Sequence, residues 1–402
     1  MSQRILYISY DGMLEPLGQS QVVAYLEKLA PGRKIHLISF EKREDWNDRE
    51  QREAVRQRIA GAGISWHPLR YHKRPTAPAT AYDIAAGSAL AIALALRHRI
   101  QIVHVRSYVA GLMGLAAKRA SGARLLFDMR GFWADERVDG NLWPPDGLLY
   151  RGAKSVERRL LLAADHVVTL THASAIELGK FPYLEGRMPP VSVIPTCADL
   201  DRFRPMADSV SRPFTFGYVG SVGTRYLLED VLGCYLAIRR LEPDARMVIA
   251  NRGQHDTIRS AASCLHVEPG ALDVVSATRD QMPGIIQGFD AAAALYKPAF
   301  SALACAPTKL AEYLGCGVPC LGNAGVGDVE ELFEERKVGV AVSGFSDEEM
   351  TASARQLIAL TREPDIQHRC RTAALELFSL PAGVGAYEGI YREMIEREDR
   401  AA

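Results

Sequence analysis

Short apolar runs alternate with longer amphipathic segments from one end of the chain to the other. Residues 4–9, 102–106 and 214–219 have the length and composition of buried strands, and 148–163 has the pattern of a helix. Strands that are separated by helices pair in parallel, with helices on both faces of the sheet. The alternation therefore predicts an α/β protein built from doubly wound sheets.

The same pattern predicts further elements along the chain. The other predicted strands are 34–39, 124–128, 166–171, 191–195, 245–250, 271–275, 290–296 and 318–322, and the other predicted helices are 19–29, 88–99, 112–120 and 387–397. A chain of 402 residues is too long for one ordinary core. We predict two Rossmann-like domains, 1–200 and 206–378, with 379–402 folding back onto the first. Ligands bind at the carboxyl ends of such strands, so we expect the two domains to face each other across a cleft that holds the active site.

Composition excludes several classes of partner. Lysine plus arginine and aspartate plus glutamate number 48 each, so no excess of charge suggests nucleic acid. The seven cysteines contain no C-x-x-C pair, which indicates a reducing compartment without a structural zinc site. The apolar run 84–96 is shorter than the roughly 20 residues that span a bilayer, and it predicts a buried helix. We expect a cytoplasmic protein, with the inner face of the cytoplasmic membrane as a further location.

The segment 306–319, APTKLAEYLGCGVP, is the most informative for function. It predicts a helix that begins at Pro307 and turns at Gly317 into a strand, because proline suits the first turn of a helix. Thr308 and Lys309 would then lie among the unpaired N–H groups at the helix start, where anions bind.

Glu312 shares a helix face with Lys309, one turn further on. A lysine and free N–H groups suit a diphosphate, and a carboxylate one turn away suits sugar hydroxyls, so the segment predicts a nucleotide-sugar site. The small residues Ala304, Gly315 and Gly317 suggest that backbone approaches the ligand closely. The alternative is a surface lysine and a solvated glutamate.

A second glycine-rich segment, 217–225 with the sequence GYVGSVGTR, reads as a strand, a turn and a helix. We predict that Gly220 and Ser221 bind phosphate through this turn, with Arg225 as the nearest cation. The alternative is an ordinary turn with a surface arginine.

The first loop, 10–21 with the sequence YDGMLEPLGQSQ, joins the first strand to the first helix. It can present backbone N–H groups to the cleft, so Gly18, Gln19 and Asp11 are candidate ligand-binding residues. A plain turn with a helix cap explains the loop equally well.

Polar residues also follow two buried strands of the first domain. Arg106 ends one of them, and the other leads into Asp128, Arg130 and Trp133. Arg130 and Asp128 are candidate catalytic residues, because an arginine can clamp a phosphate or an acceptor. Arg106 and Trp133 are candidates on the acceptor side. The alternative is a network of loop ion pairs.

Other motifs carry less weight. The pair Asp199 and Asp201 could suggest a metal, but its position predicts a helix cap, and no histidine spacing suggests a metal either. The basic, aromatic segment 66–74, together with Trp143 and residues 148–150, could contact an anionic membrane face or a lipid diphosphate. A loop with an amphipathic strand explains 66–74 as well.

Taken in order, these motifs resemble the bacterial retaining glycosyltransferases of family 4, which have the two-domain GT-B architecture. The resemblance runs along nearly the whole chain and rests on 12–21, 128–133, 193–203 and 307–319. It implies a nucleotide-diphosphate sugar donor in the second domain and a glycan or lipid-linked acceptor in the first. It also implies transfer with retention, in cell-surface polysaccharide synthesis, and no required metal or other cofactor.

By position, the resemblance places Glu312 at the donor ribose, Thr308 and Lys309 at the diphosphate, and Gly18 opposite them. The chain also departs from the family. The first of the usual two glutamates falls on Ala304, and the usual arginine and lysine after the first strand of the second domain fall near Ser221 and Leu227. Arg225 and Lys309 are the candidates for the missing charge. Two alternatives stay open: a sugar-nucleotide epimerase or hydrolase, and a non-catalytic scaffold.

Overall fold

The computed structural model describes residues 2–206, 212–223 and 225–399, which form two compact units. Of these residues, the first unit contains 2–138, 143–194 and 380–399, and the second contains 139–142 and the described part of 195–379. Each unit is built around one parallel sheet, so the prediction of doubly wound sheets is confirmed.

The sheet of the first unit has seven strands in the order β3-β2-β1-β4-β5-β6-β7. Its strands are β1 Gln3–Ser9, β2 Arg33–Glu41, β3 Ser65–Arg70, β4 Ile102–Arg106, β5 Arg124–Asp128, β6 His166–Thr169 and β7 Val191–Val193. All neighbouring pairs are parallel. The carboxyl ends of β1, β4 and β5 therefore lie side by side, which places residues that follow them at one edge of the sheet.

Helices connect these strands. They are α1 Pro16–Gly18, α2 Ala24–Leu29, α3 Arg43–Asn47, α4 Arg49–Gly61, α5 Thr76–Arg97, α6 Ser107–Ser121, α7 Trp133–Asp139, α8 Leu148–Ala163 and α9 His172–Gly179. A π-helical turn, Gln19–Val23, joins α1 to α2, and a 3-10 turn, Pro182–Leu184, follows α9.

Helix α5 corrects two predictions. It starts twelve residues before the predicted 88–99, and its 22 residues make it long and apolar enough to cross a membrane by length and composition. Only 33% of its most apolar window is buried, so it is not the buried helix that 84–96 predicted. It packs against α6 and the sheet, and its buried Asp83 accepts hydrogen bonds from the Tyr10 hydroxyl (2.9 Å) and the His72 N–H (3.0 Å). These contacts explain it as a covering helix of the sheet.

The sheet of the second unit has six strands in the order β10-β9-β8-β11-β12-β13. They are β8 Thr215–Val219, β9 Arg246–Ala250, β10 Leu272–Val275, β11 Ala291–Ala294, β12 Cys320–Asn323 and β13 Gly339–Val342. Apolar clusters cover both faces of this sheet, one of them centred on Tyr313 and Leu314 and the other on Tyr235 and Ile238. The order places the carboxyl ends of β8 and β11 next to each other at the middle of the sheet.

The remaining helices are α10 Leu228–Leu241, α11 His255–Cys264, α12 Met282–Gln287, α13 Thr308–Gly315, α14 Val329–Arg336, α15 Asp347–Thr361, α16 Ile366–Leu377 and α17 Leu380–Asp399. Further 3-10 turns are Pro269–Ala271 and Phe300–Ala304. Helix α17 packs on α2 of the first unit, and the Arg33 guanidinium pairs with Glu388 at 2.9 Å.

Three smaller predictions have the following outcomes. Residues 66–70 belong to β3, the edge strand of the first sheet, which agrees with the alternative of a loop with an amphipathic strand, and the Trp66 indole N–H donates to Ser39 Oγ (2.8 Å). The described residues 194–206, after β7, form a turn and no helix, and the Asp199 carbonyl accepts the backbone N–H groups of Arg202 and Phe203 instead of a side-chain cap. Strand β13 was not predicted.

Candidate active site

The predicted site residues fall into two groups, one in each unit. The group in the second unit is built on α13. The helix begins at Thr308, and Pro307 precedes it with an extended backbone (φ −65°, ψ 119°). Leu310, Ala311, Tyr313 and Leu314 anchor the helix in the core, which fixes the direction of its start. The predicted position of the helix is therefore nearly correct, with proline just before the first turn instead of within it.

The glycines of this segment have structural reasons. A Cβ atom on Gly315 would lie 2.7 Å from a Leu200 methyl carbon and 3.1 Å from the Phe203 carbonyl oxygen. Gly317 has φ +80°, which glycine adopts without strain, and a Cβ there would meet Gln367. Chain packing and backbone geometry thus account for both glycines, and the approach of backbone to a ligand at them stays a prediction.

Lys309 is the unusual residue of the helix. Its side chain is 7% exposed, and among the residues that the structure describes its Nζ atom has no hydrogen-bond partner. The Nζ atom lies 4.0 Å from the ring centre of Tyr218, 4.6 Å from that of Tyr226 and 5.6 Å from that of Tyr296. Burial lowers the pKa of Lys309 to about 7, although Cys305 and Glu312 act in the opposite direction.

Glu312 lies one turn further along α13 and is half-buried. Burial raises the pKa of its carboxyl group to about 7, and the charges of Lys309, Arg279 and Arg202 oppose this rise. The helix therefore carries an acid and a base that both titrate near neutral pH, which is a frequent property of functional sites.

The glycine-rich turn after β8 lies against Lys309. Gly220 has φ +115°, and a Cβ atom there would lie 3.5 Å from the lysine Nζ. The Gly220 N–H donates to the Ala250 carbonyl (2.9 Å), and the Asn251 side-chain amide donates to the Gly220 carbonyl (2.9 Å). Gly220 and Lys309, which are distant in sequence, are thus brought together. Asn251 supports this turn and was missed, since no sequence pattern connects it to the glycines.

The other predicted residues of this group lie nearby. Ser221 is exposed, and its carbonyl accepts the Tyr218 hydroxyl (2.6 Å). Arg225 follows the turn; its N–H donates to the Gly223 carbonyl (2.7 Å) and its own carbonyl accepts the Lys297 N–H (2.9 Å). The site can therefore offer a buried cation, a glycine-rich turn and a helix start to an anion.

The group in the first unit centres on Asp128 at the end of β5. Its side chain is buried, and its Oδ2 atom accepts the Tyr387 hydroxyl of α17 at 3.0 Å. Nitrogen atoms of His104, Arg106 and Arg130 lie 3.8–3.9 Å from its oxygens. Burial alone would raise the pKa of Asp128, but the charge of Arg130, with His104 and Arg106, holds it below its ordinary value. Asp128 is therefore an ionised centre of a buried polar network.

The other candidates of the first unit are Arg106, Asp11, Arg130 and Trp133. Arg106 is buried and donates to the half-exposed carboxylate of Asp11 at 3.3 Å. Arg130 has φ +61°, a left-handed conformation that is uncommon for arginine and often marks functional positions. The Trp133 ring meets the Trp143 ring edge-on at 5.2 Å, and the Arg137 guanidinium lies 5.4 Å from its centre.

Gly18 and Gln19 belong to the first loop. A Cβ atom on Gly18 would lie 2.0 Å from the Gly12 carbonyl oxygen, so contact between two backbone segments requires this glycine. The Gln19 side-chain amide donates to the Leu14 carbonyl (3.2 Å). Packing of the loop accounts for both residues, and their roles toward the donor stay predictions.

Known proteins that are similar to this chain include glycosyltransferases. The model of the glycosyl transferase 4-like domain matches residues 21–196. No curated protein sequence matches the chain. Several solved structures are similar to the chain over almost its whole length, at low sequence identity.

Three of these structures are described by their names and bound ligands. A glycosyltransferase from Rickettsia africae has a TM-score of 0.70 at 13% identity and covers 98% of this chain and 99% of its own. Sucrose-phosphate synthase from Thermosynechococcus elongatus has the same TM-score and identity, with 98% and 100% covered. The Anabaena protein HepE, in complex with UDP-glucose, has a TM-score of 0.66 at 14% identity, with 99% of each chain covered. Residues 21–196 thus match a glycosyl transferase 4-like domain, and the chain has the two-domain GT-B fold that the resemblance predicted.

Proposed function

We propose that the protein transfers a sugar from a nucleotide-diphosphate sugar to a glycan or lipid-linked acceptor, with retention of the anomeric configuration, in the synthesis of bacterial cell-surface polysaccharide. The observation that carries this proposal is the buried Lys309 ammonium group, which has no hydrogen-bond partner among the described residues and lies against the glycine-rich turn at Gly220. A buried cation is stabilised by an anion beside it, and the diphosphate of a donor would supply that anion.

The chemistry assigns a role to each residue of the group. Negative charge grows on the diphosphate as the bond to the anomeric carbon breaks, and fixed positive groups in a dry site stabilise that charge. Lys309 and the N–H groups at the start of α13, at Thr308, would supply the stabilisation, with Arg225 and the turn at Gly220 and Ser221 beside them. Glu312 would accept the ribose hydroxyls. No metal is needed in this scheme, and activity should persist in EDTA.

On the acceptor side, Asp128, Arg130, Arg106, Asp11 and Trp133 would bind the acceptor. Retention without an obvious nucleophile suggests attack from the face that the diphosphate leaves, with a diphosphate oxygen taking the acceptor proton. The position of Ala304 supports this scheme, because no carboxylate stands where many family members have their first glutamate.

The donor is tested first by thermal unfolding with UDP, GDP, ADP, CMP and dTDP and some of their sugars. The complex of HepE with UDP-glucose makes the uridine compounds the first choice. A ligand at a hundred times its dissociation constant adds about 2.7 kcal/mol to the free energy of unfolding. We expect one nucleotide to stabilise the wild type and to lose at least tenfold in affinity in Glu312→Gln. The exposed Glu335→Gln serves as the matched control.

The outcome separates the alternatives. Equal stabilisation of the wild type and Glu312→Gln would place the nucleotide elsewhere. Rapid donor breakdown without an acceptor would favour a hydrolase or an epimerase. Binding without any turnover, even with acceptor extracts, would favour the scaffold.

We also propose that the protein is cytoplasmic and contacts the inner face of the membrane. Leu148 and Leu149, at the start of α8, are 86% and 57% exposed. Arg151, Arg158 and Arg159 are exposed on the same helix. Exposed leucines beside arginines suit an anionic lipid surface, because the leucines enter the interface while the arginines meet the headgroups.

Replacing both leucines, Leu148→Ser with Leu149→Ser, should weaken binding to vesicles of phosphatidylglycerol and phosphatidylethanolamine by about 10- to 100-fold, since two leucine side chains lose their burial. Co-sedimentation measures this binding. Leu375→Ser is the matched control, because that leucine is 46% exposed on the second unit. A wild type that does not sediment with these vesicles would contradict the proposal.

A further inference from the structure

Three tyrosine rings surround the Lys309 ammonium group, and we call Tyr218, Tyr226 and Tyr296 the tyrosine cage. Tyr218 belongs to β8, Tyr226 follows the glycine-rich turn, and Tyr296 follows β11. The cage is thus assembled from the adjacent carboxyl ends of two central strands, where a ligand of such a sheet binds.

Hydrogen bonds hold the cage in place. The Tyr218 hydroxyl donates to the Ser221 carbonyl at 2.6 Å, which ties the ring to the turn. The Tyr296 backbone is held on both sides by the Asn323 side chain, at 2.9 and 3.0 Å. Tyr226 pairs with Tyr296 through an antiparallel bridge, and their ring centres lie 5.1 Å apart. The rings are therefore fixed before any ligand arrives.

The cage replaces the partner that a buried lysine normally has. Burial of an ammonium group without a partner costs free energy, and buried lysines are usually paired with a carboxylate. Among the described residues, Lys309 forms no ion pair with a carboxylate. An aromatic face attracts a cation through its ring quadrupole but carries no net charge. The rings can thus hold the ammonium group without neutralising it.

We propose that Tyr218, Tyr226 and Tyr296 are positioning residues that hold the Lys309 ammonium group by cation–π contact in place of a carboxylate, so that its charge remains available to the diphosphate of the donor. This inference rests on the proposed function. A carboxylate partner would compete with the diphosphate for the lysine, whereas an aromatic ring can keep its contact when the anion binds on the open side.

Ordinary packing makes a different prediction. If the rings only fill space, their removal should weaken nucleotide binding by the same factor whether or not position 309 carries a charge. If the cage acts on the ammonium group, the loss should depend on that charge. A double-mutant cycle separates these cases.

Tyr226 is the best member of the cage to change, because it is half-buried, whereas Tyr218 is fully buried. Titration calorimetry with UDP, GDP and ADP would compare the wild type, Tyr226→Leu, Tyr226→Phe, Lys309→Met and the double variant Tyr226→Leu with Lys309→Met. We expect Tyr226→Leu to weaken binding by about 5- to 30-fold and Tyr226→Phe by less than about twofold, since phenylalanine keeps the aromatic face.

In the Lys309→Met background, Tyr226→Leu should add less than about twofold, because no charge remains for the ring to hold. Phe345→Leu is the control for loss of a half-buried ring in the same unit. The pKa of Lys309, followed by NMR of its Cε carbon, should fall in Tyr226→Leu and not in Phe345→Leu.

Equal losses in both backgrounds, or an unchanged affinity in Tyr226→Leu, would overturn the cage while leaving the donor site intact. A wild type that binds none of the three nucleotides would overturn the proposed donor site, and the cage with it.

Discussion

Lys309→Met should lower the turnover of nucleotide sugar by about 10²- to 10³-fold, which is the usual loss when one group that stabilises transition-state charge is removed. Methionine keeps most of the length of the side chain and can remain among the three tyrosine rings. The change therefore removes the charge with little loss of packing. Steady-state rates with the donor found by thermal unfolding measure the effect.

The same variant should be more stable than the wild type. In the folded protein burial lowers the pKa of Lys309 from 10.5 to about 7, so a charged lysine at this position opposes folding. Below about pH 7 the lysine is charged in both states, and the cost of its burial is at most about 5 kcal/mol. Between about pH 7 and the ordinary lysine pKa the unfolded chain holds more protons, so wild-type stability should rise with pH. Lys309→Met should lack this rise.

Loss of activity with a gain of stability is the result that identifies a functional charge. Lys337→Met is the matched control, because Lys337 is exposed in the same unit and should change neither quantity. Wild-type turnover in Lys309→Met would overturn the role of this lysine in catalysis. A fall in stability would show instead that the ammonium group supports the fold.

Much of the fold followed from the sequence because buried strands and amphipathic helices leave regular patterns. The bounds of β4, β5 and α8 match the predicted 102–106, 124–128 and 148–163. Predictions were poorer where the pattern was weak. Strand β3 lies at the sheet edge with half-buried residues, and β13 is short and flanked by polar segments. Helix α5 contains Pro78 and Gly87 in its first half, and these residues weaken a helical pattern, so the predicted start at 88 came too late.

The candidate donor site was predictable in part. The start of α13 and the place of Lys309 follow from local signals, because a proline marks the helix start. The tyrosine cage does not, since Tyr218 and Tyr226 flank the glycine-rich turn and meet Tyr296 only when β8 and β11 pair. The steric need for glycine at positions 18 and 315 could not be predicted either, because the backbone segments that crowd Gly18 and Gly315 become neighbours only in the folded chain.

The network at Asp128 shows the same limit. Its hydrogen-bond donor Tyr387 lies 259 residues further along the chain, on α17. No spacing rule connects two residues so far apart. The fold-back of the last helix was predicted, but the tyrosine that it brings to the carboxylate was not.

Binding of a nucleotide sugar should depend on pH with a maximum near pH 7, because two groups of α13 titrate there in opposite senses. A diphosphate favours charged Lys309, whose pKa is about 7 in the free protein, so binding above that pH must take up a proton. The affinity should then fall by up to about tenfold per pH unit between pH 7 and 9. The diphosphate of a nucleotide sugar stays ionised throughout this range and adds no titration of its own.

The acid side of the profile belongs to Glu312. Ribose hydroxyls donate hydrogen bonds to an ionised carboxylate, and the pKa of Glu312 is about 7, so binding below that pH must release a proton. The affinity should therefore rise as the pH increases toward 7. Arg202 and Arg279 are the other charged groups that lower the pKa of Glu312, besides Lys309.

One variant tests each side of the pH profile. Calorimetry in two buffers of different ionisation enthalpy measures how many protons are taken up or released on binding. Glu312→Gln should keep only the alkaline fall, and Lys309→Met should keep only the acid rise. Tyr218 and Tyr296 stay neutral in this range because burial raises the pKa of both. The Cys305 thiol raises the pKa of Lys309, and Cys305→Ser measures how much this thiol contributes to the alkaline side of the profile. An affinity that does not change between pH 6 and 9 would mean that the nucleotide sugar binds without contact to either group, and the donor site would have to lie away from α13.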